Sequence, residues 1–230
     1  MRRTLERIPQ EKEIKVFVTA DLHMGHKNIL GHQDNREFSD IVEMNDHIVR
    51  EWNAKVTDKD KVYVVGDFSF RMDLDDLAHY MGLLKGEIHL VKGNHDHDFW
   101  KAYEILKAKR HQEKGVKHPD QIVIHRDRIV DLKHGGYKYV MCHYPMETWD
   151  GAARQIRGYK TQGRKVMHLH GHQHGKGFLA KDRIDVGWDA TGNVVTNLDD
   201  IPAMIEAQNL KLMSEEFGSL QQYEEPELGN

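Results

Sequence analysis

The amino-acid sequence, 230 residues long, predicts one large α/β domain in which short strands alternate with helices. Three observations support this prediction. β-Branched runs are followed by polar loops and then by helical periodicity, repeatedly between residues 14 and 110. Two further runs near residue 135 have the spacing of a β-hairpin. Several of the strand-like runs end at Asp, Asn or His, which is where open α/β sheets place their ligand sites.

The first half of the chain repeats one unit, a buried strand that leads through a loop into a helix. Such repetition favours a parallel or mixed sheet covered by helices. The first helix is predicted from Asp40 and Glu43, which form an N-terminal capping pattern, and from apolar residues at helical spacing. The predicted elements, in order, are a strand over 14–20, a helix from residue 41, a strand over 61–65, a helix over 73–84 closed by Gly86, a strand over 87–91 and a helix over 98–110.

The second half of the chain is richer in strands. A basic stretch with few apolar residues, 111–120, is predicted to be a loop. The acidic C-terminal segment is poor in apolar residues, so we expect one domain over 1–213 and a flexible tail over 214–230. The predicted strands are 121–125, 128–132 and 137–143, the last two joined as a hairpin, then 165–171, and finally a strand followed by a helix within 193–208.

The composition narrows the class of protein. Charged residues make up 30% of the chain, yet the formal net charge is only −4, so the overall charge indicates neither a nucleic-acid nor a membrane-surface protein. Cys142 is the only cysteine, which excludes an internal disulfide framework. With no long apolar run and no hydrophobic signal segment, we expect a cytoplasmic protein without a membrane partner. The 17 histidines are the unusual feature, because imidazole is the commonest metal ligand and general acid or base.

The polar residues at the predicted strand ends form a metal-ligand set. It comprises two carboxylates, one amide and four imidazoles, which suits divalent Mn, Fe, Zn, Ni or Co. Seven ligands are too many for one ion. They suit two ions held about 3.5–4 Å apart with one carboxylate bridging, an arrangement that clamps the attacking and leaving oxygens of a phosphoryl group. The candidate ligands are Asp21, His23, Asp67, Asn94, His143, His172 and His174.

The same motifs, in order, resemble those of one enzyme family. "DLH", "GD", "GNHD", a lone His143 and "GHQH" are similar to the motifs of the calcineurin-like metallophosphoesterase superfamily, over about residues 14–198. With "DLHMGHKNI", "EMNDHIVREWN", "CHYPMETW" and "DVGWD", the chain more narrowly resembles a small phosphoesterase group of bacteria and phages. The resemblance implies a fold of two mixed β-sheets packed as a sandwich, with helices on the outer faces.

The resemblance also implies a role for each residue. A hydroxide bridging the two metal ions would attack phosphorus. His95 and Asp96 would be catalytic: His95 by stabilising charge or protonating the leaving oxygen, and Asp96 by orienting neighbouring groups. Manganese is the first choice of metal. The implied ligands are Asp21, His23 and His174 for the first ion, Asn94, His143 and His172 for the second, and Asp67 as the bridge.

The remaining histidines have less specific interpretations. In the run "HLHGHQHG", His168 and His170 belong to the predicted strand, as hydrogen-bonded residues or as supports for the ligands beyond it. Gly171 and Gly175 are expected to let the backbone approach the ions closely. His26 is either a contact to substrate phosphate or a loop residue, whereas His97 and His111 are predicted at the surface.

Two groups of basic residues lie outside these motifs. Each is either a phosphate-attracting surface or a solvated face. The second group is predicted to occupy a loop between His143 and the last histidine motif. The first group is Lys109, Arg110, Lys114 and Lys117, and the second is Arg154, Arg157, Lys160, Arg164 and Lys165.

The predicted activity is metal-dependent hydrolysis of a phosphodiester with a nucleotide-like or nucleic-acid substrate. Neither an arginine clamp for monoesters nor an insertion long enough for a cap domain is present, and "FSFRM" after Asp67 lacks the "DRG" of protein Ser/Thr phosphatases. The alternatives are a phosphomonoesterase and a metal-binding protein of this fold without turnover. A metallo-β-lactamase-type hydrolase requires an HxHxDH run, but here Gln173 separates His172 and His174.

Overall fold

A computed structural model describes residues 13–33, 35–109, 121–177 and 179–221, and in these residues nine strands form two mixed sheets. The strands are β1 (Val16–Thr19), β2 (Lys61–Val65), β3 (Glu87–Val91), β4 (Ile122–Ile124), β5 (Val130–His134), β6 (Tyr137–Met141), β7 (Val166–His170), β8 (Arg183–Asp185) and β9 (Thr196–Asn197). The helices are α1 (Ile41–Lys55), α2 (Leu74–Leu83), α3 (Phe99–Lys109), α4 (Ala152–Lys160), α5 (Trp188–Thr191) and α6 (Ile201–Gln221), and a 3-10 turn covers Lys27–Gly31.

The strand order brings the carboxyl ends of most strands to one edge of each sheet. In the first sheet, ordered β4-β3-β2-β1-β9, the strands β1 to β4 are parallel and β9 is antiparallel. In the second sheet, ordered β5-β6-β7-β8, the strands β6 to β8 are parallel and β5 forms the predicted hairpin with β6. The loops that follow β1, β2, β3, β6 and β7 therefore leave from corresponding edges.

Two apolar layers hold the fold together. Between the sheets, Val18 and Val65 of the first sheet belong to the same buried cluster as Met141 and Leu169 of the second. On its other face the first sheet packs against α1, α2 and α3 through a second cluster that includes Trp52. The predicted sandwich of two mixed sheets with outer helices is confirmed.

The start of α1 follows the predicted capping pattern. The Asp40 carboxylate accepts hydrogen bonds of 2.9 Å from the backbone N–H groups of Val42 and Glu43, which satisfies two amides that a helix leaves unpaired. The Glu43 carboxylate accepts a bond from the backbone N–H of Ser39. Asp73 caps α2 in the same way, through the N–H groups of Asp75 and Asp76.

The prediction that the second basic group occupies a loop is wrong for most of its residues. Arg154, Arg157 and Lys160 lie on α4, and only Arg164 and Lys165 lie in the loop before β7. The helix is explained by its composition: Ala, Gln, Arg and Lys are strong helix formers, and Gly151 precedes it in a left-handed conformation. β8 was not predicted, because three residues between ligand loops are too short for a recognisable alternation.

Some predictions concern residues that the structure does not describe. Arg110, His111, Lys114 and Lys117 lie outside the described residues, as does the side chain of Lys109. α6 continues to Gln221, so the boundary at 213 and the flexibility of the tail stay predictions, and residues 222–230 lie outside the described chain. Within the ranges given above, none of the helices has the length and apolarity required to cross a bilayer. The cytoplasmic location also stays a prediction.

Candidate metal centre

The loops at the strand ends bring all seven candidate ligands to one place between the two sheets. Hydrogen bonds across the sheets fix this meeting point. The backbone N–H of His172 donates to the Asp21 carboxylate at 2.9 Å, and Gly171 N–H donates to the His143 carbonyl at 3.1 Å. The Nδ1 of His143 lies 3.0 Å from the Val65 carbonyl on β2. Residues that are up to 151 positions apart in the chain are thereby placed side by side.

Asp21, His23 and His174 form the first of two donor groups. One ligand atom from each residue lies within 4.8 Å of the others. The Nε2 of His23 is 3.8 Å and the Nε2 of His174 is 3.9 Å from Oδ1 of Asp21, and the two imidazole rings stack at 5.0 Å. This arrangement could hold one cation between two nitrogens and one oxygen.

Asp67, His143 and His172 form the second donor group, within the same 4.8 Å limit. The Nε2 of His143 lies 3.2 Å from Oδ2 of Asp67 and 2.9 Å from Oδ1 of Asn94. The same Asp67 oxygen is 3.7 Å from Nε2 of His23 in the first group. Asp67 therefore stands between the two groups, in the position that a bridging carboxylate requires.

The backbone at these positions is strained. Five of the seven described non-glycine residues with positive φ are candidate ligands. A left-handed conformation costs a residue with a Cβ atom about 1 kcal/mol or more, and such strain is retained where the surrounding structure and the function require it. The residues are Asp21 (φ 56°), His23 (51°), Asp67 (53°), His172 (72°) and His174 (50°).

His23 supplies a test of whether a cation fits. Its side chain is 3% exposed, and neither ring nitrogen has a hydrogen-bond partner among the described residues. An unsatisfied buried polar group costs about 1–3 kcal/mol. Metal coordination at Nε2, beside the carboxylates of Asp21 and Asp67, would remove that cost for one of the nitrogens. Burial lowers the pKa of His23 well below its ordinary value, so the ring is neutral and able to act as a ligand.

The second group passes a similar test. Because Nδ1 of His143 donates to a backbone carbonyl, Nε2 of the neutral ring carries a lone pair that faces oxygen atoms of Asp67 and Asn94. A proton or a cation between these three atoms would stabilise their contact. Burial lowers the pKa of His143, but the hydrogen bond and charge of Asp67 outweigh burial and raise it above the ordinary value.

The two carboxylates differ in their electrostatics. Burial raises the pKa of Asp21 to about 7, although the neighbouring His174 and His143 oppose that rise. Burial acts in the same direction on Asp67, but there the hydrogen bond and charge of His143 prevail and lower the pKa to about 2. The buried Asp21 carboxylate therefore lacks sufficient positive charge from the protein itself. A bound cation would supply it.

His95 lies at the open side of the centre. Its side chain is 35% exposed, its Nε2 is 3.9 Å from Oδ2 of Asp67, and its backbone N–H donates to Oδ1 of Asp67 at 2.9 Å. The ring packs edge-on against Phe70 at 4.5 Å and lies 5.6 Å from the ring of His23. His95 thus combines access from solvent with proximity to both donor groups.

Asp96, by contrast, is buried and contacts backbone. Its carboxylate accepts hydrogen bonds from the N–H groups of Asp67 (2.8 Å), Phe68 (2.9 Å) and Gly93 (2.8 Å). These bonds tie the loop after β2 to the loop after β3. Asp96 thereby fixes the backbone on which Asp67 stands, and its catalytic role stays a prediction.

The sequence interpretation missed two residues that support the first donor group. Asp189 Oδ2 lies 2.6 Å from Nδ1 of His174, and Arg36 binds Asp189 through Nε at 2.7 Å and Nη2 at 2.8 Å. The fully buried Arg36 also donates to the carbonyl oxygens of Asp21 and Leu22. The motif "DVGWD" contained a signal for Asp189, which follows a strand end. Arg36 had none, because it lies in an irregular polar segment.

The other histidines of the sequence occupy distinct environments. His168 Nδ1 lies 2.8 Å from the Val140 carbonyl, and its Nε2 accepts a bond from Met146 N–H, while His170 Nδ1 lies 2.8 Å from the Gly171 carbonyl. Both are hydrogen-bonded strand residues, as predicted. His97 is exposed, also as predicted. His26 is partly buried, with its ring 4.3 Å from Phe70 and 5.4 Å from His23.

Gly171 lets the backbone lie close to a candidate ligand, whereas the approach of Gly171 and Gly175 to the ions themselves stays a prediction. A Cβ atom at Gly171 would overlap Oδ2 of Asp21, so a side chain at this position would displace a candidate ligand. Gly175 has a positive φ of 72° and lies against Ala190. Its backbone N–H donates to Asp185 at 3.0 Å, which holds the end of the His172–His174 loop against the strand end of β8.

Several known proteins are similar to this chain in sequence. The family model of the calcineurin-like phosphoesterase superfamily domain matches residues 14–188. The chain is 34% identical over 107 residues to the uncharacterised protein MJ1445 of Methanocaldococcus jannaschii, covering 46% of this chain and 60% of that protein, which is less than two thirds of its length. It is 25% identical over 198 residues to the Gene 66 protein of Mycobacterium phage D29, covering 83% of this chain and 95% of that protein.

One solved structure supports the fold alone. The protein of unknown function AQ665 from Aquifex aeolicus superposes with a TM-score of 0.53 at 19% sequence identity, over 84% of this chain and 100% of that chain.

Proposed function

The chain belongs to the calcineurin-like phosphoesterase superfamily, and from its two donor groups we propose that it is a hydrolase of phosphoric esters that uses two divalent cations and prefers phosphodiesters to monoesters. The observation that carries this proposal is the position of Asp67, whose Oδ2 lies 3.7 Å from His23 in one donor group and 3.2 Å from His143 in the other. The substrate we propose is nucleotide-like or a nucleic acid.

The proposed ligands are those implied by the family resemblance. Asp21, His23 and His174 would hold one cation; Asn94, His143 and His172 the other; and Asp67 would contact both. The bound cations would supply Lewis-acid stabilisation of charge on the phosphoryl group and lower the pKa of a water from about 15.7 toward about 7. Because the donors are imidazole and carboxylate groups without thiolate, we propose manganese, with Fe, Zn, Ni or Co as alternatives.

His95 is the proposed acid of the reaction. It is accessible from solvent and close to Asp67, so its ring would face a phosphoester that occupies the centre. Nε2 of His95 would donate a proton to the leaving oxygen, or a hydrogen bond to the charge that develops on the phosphoryl oxygens. Asp96, Asp189 and Arg36 would keep the ligands in position and would not touch the substrate.

The contacts of Arg36 exclude this residue as a clamp for a monoester, which is consistent with the proposed preference for diesters. A phosphatase for monoesters benefits from a guanidinium that binds the doubly charged phosphate bidentately. Arg36 is buried, and its guanidinium is already bonded to Asp189 and to backbone carbonyls behind the candidate ligands. It is therefore not available to clamp a substrate phosphate.

The experiment that tests this proposal combines metal content with a comparison of substrates. The full-length protein is loaded with Mn²⁺, Fe²⁺, Zn²⁺, Ni²⁺ or Co²⁺, and its metal content is measured by elemental analysis. Hydrolysis of bis-p-nitrophenyl phosphate is then compared with hydrolysis of p-nitrophenyl phosphate. We expect two ions per chain and a higher kcat/KM for the diester, with Mn²⁺ the most active.

Other results select the alternatives. A large excess in kcat/KM for the monoester would make the protein a phosphomonoesterase. Two bound ions without hydrolysis of either ester would make it a metal-binding protein without turnover. A chain that binds none of these metals would overturn the proposal.

A further inference from the structure

A cavity of about 930 Å³ lies on the outer face of the second sheet and is termed here the α4 groove. Its sides are formed by two loops, each of which follows a candidate ligand in the chain. One loop follows His143 and contributes Met146, Glu147 and Trp149, and the other follows His174 and contributes residues 179–182. α4 closes the far end with Ile156 and Lys160. The groove is therefore built from the same chain segments as the candidate metal centre.

The charge of the α4 groove is opposite to that of the protein. The chain has a formal net charge of −4, yet cationic residues outnumber acidic ones along the groove. The acidic residues are Glu147 and Asp182, and Asp182 is hydrogen-bonded to Asn209. The cationic residues are Lys160, Arg164, Lys165, Lys181 and Arg183.

Most of these cations are available to a ligand. Lys160, Arg164, Lys165 and Lys181 are exposed, and no ion pair joins their side chains to another described residue. Unpaired like charges that share one groove repel each other, so their proximity is favourable only when an anion neutralises them. The groove is thus suited to a ligand with several negative charges.

Apolar surface lies between the charges. Ile156 is 47% exposed and Leu179 is 43% exposed, although both residue types normally prefer the interior. The indole of Trp149 is partly exposed and is held in place, because its Nε1 donates to Oε1 of Gln155 at 3.2 Å and Lys138 bonds the same oxygen. A fixed aromatic surface among cations is the combination on which unpaired nucleobases stack.

The groove adjoins the loop that carries His172 and His174. A smaller cavity of about 160 Å³ shares Leu179, Ala180 and Arg183 with it and reaches Gln173 and Gly175, which flank His174. β7 lines the groove with Val166 and His168, which are about 7 Å apart at ~3.3 Å per residue. That length corresponds to about two nucleotides of a stacked strand.

From these observations we propose that the α4 groove binds single-stranded nucleic acid and presents one of its phosphodiesters to the metal centre. The phosphates would contact the lysines and arginines, and the bases would stack on Trp149. A duplex would bury its bases and could not use that surface. Because it names the substrate of the metal centre, this inference depends on the proposed function.

The first test measures binding to the charged residues. A fluorescein-labelled thymidine strand of twelve nucleotides, with a phosphorothioate backbone that resists hydrolysis, is titrated with the metal-loaded full-length protein at several salt concentrations. The double variant Lys160→Glu/Arg164→Glu should weaken binding at least tenfold and reduce the dependence on salt. The control variant Lys101→Glu/Lys107→Glu makes the same charge change on α3 and should bind like the wild type. Equal binding by all three proteins would overturn the proposal.

The second test measures the contribution of the bases. Trp149→Ala should weaken binding of the thymidine strand roughly tenfold and leave binding of inorganic polyphosphate unchanged, because polyphosphate has no bases. Trp100→Ala, which removes an indole that is 57% exposed on α3, is the matched control and should change neither. If Trp149→Ala has no effect, or if polyphosphate or a polyglutamate peptide binds as tightly as the strand, the groove is a general polyanion site and the proposal is wrong.

A third measurement separates this proposal from the proposed function. The groove variants should hydrolyse bis-p-nitrophenyl phosphate like the wild type, because no hydrogen bond, ion pair or ring contact joins Trp149, Lys160 or Arg164 to a candidate ligand in the described residues. They should show a higher KM for a natural oligonucleotide. Failure of the wild type on bis-p-nitrophenyl phosphate would contradict the proposed function. Normal hydrolysis combined with unaltered oligonucleotide binding in the variants would contradict the groove alone.

Discussion

The carboxylate of Asp189 holds the imidazole of His174 by a contact of 2.6 Å between Oδ2 and Nδ1. Both atoms are away from solvent, since the side chain of Asp189 is 2% exposed and that of His174 is 18% exposed. The contact directs Nε2 of His174 toward Asp21. Burial opposes a charge on either group, but the hydrogen bond prevails, so that the pKa of His174 is raised and the pKa of Asp189 is lowered.

This relationship predicts the effect of Asp189→Asn. The variant removes the negative charge that orients the ring and increases the basicity of Nε2, so affinity for the first cation should fall 10–100-fold. Isothermal titration with Mn²⁺ measures the change. Asp199→Asn is the matched control, because Asp199 makes a similar 2.7 Å contact with His134 at the surface. Equal Mn²⁺ affinity in Asp189→Asn and wild type would show that Asp189 has no part in metal binding.

His95→Asn and Asp67→Asn separate the proposed acid from the proposed bridge. His95→Asn should lower kcat 10²–10⁴-fold while both metal ions are retained, since His95 is not a proposed ligand. Asp67→Asn should abolish activity and weaken binding of both ions. The assay is hydrolysis of bis-p-nitrophenyl phosphate together with elemental analysis, and His97→Asn, an exposed neighbour, is the control. Loss of metal in His95→Asn would mean that the division between ligand and acid is wrong.

Gly171→Ala tests the close approach of backbone to ligand. Its new Cβ atom would overlap the Asp21 carboxylate, so we expect loss of metal binding and a lower free energy of unfolding. Gly158→Ala is the control, because beyond the neighbouring backbone of α4 no atom lies within 4 Å of a Cβ at that position. In the interior of α4 this change should raise the free energy of unfolding by about 0.5–1 kcal/mol. Urea denaturation measures both, and full Mn²⁺ affinity in Gly171→Ala would contradict the geometry described for Asp21.

His168 predicts a dependence of stability on pH. Burial lowers its pKa from 6.5 to about 4, so between these values the unfolded chain binds a proton that the folded chain does not. The contribution of neutral His168 to the free energy of unfolding is fully present above pH 6.5 and decreases as the pH is lowered toward 4. At pH 4.5 the free energy of unfolding should be lower by about 2–3 kcal/mol. His168→Gln removes the titrating group and should flatten that part of the profile. Urea denaturation at pH 7.5, 6 and 4.5 measures the difference, and parallel profiles for the two proteins would refute the assignment.

The strands and the order of the motifs could be predicted from the sequence because both are local. β-Branched runs such as 61–65 have few alternatives to a buried strand, and the polar residues that follow them mark the strand ends. The parallel order of the strands then requires those ends to share an edge. The structure brings Asp21 and Asp67 to the same edge of the first sheet for this reason, although they are 46 positions apart in the chain.

Only the tertiary structure determined the contacts that support the candidate metal centre and those that form the α4 groove. Arg36 had no local signal, because its role comes from a bond to Asp189, 153 positions away. The basic residues of α4 were assigned to a loop because they lie between two ligand motifs, and only the fold shows them on a helix that closes a groove. A local pattern records the propensity and burial of each segment, whereas these contacts depend on how two sheets pack, which no single segment encodes.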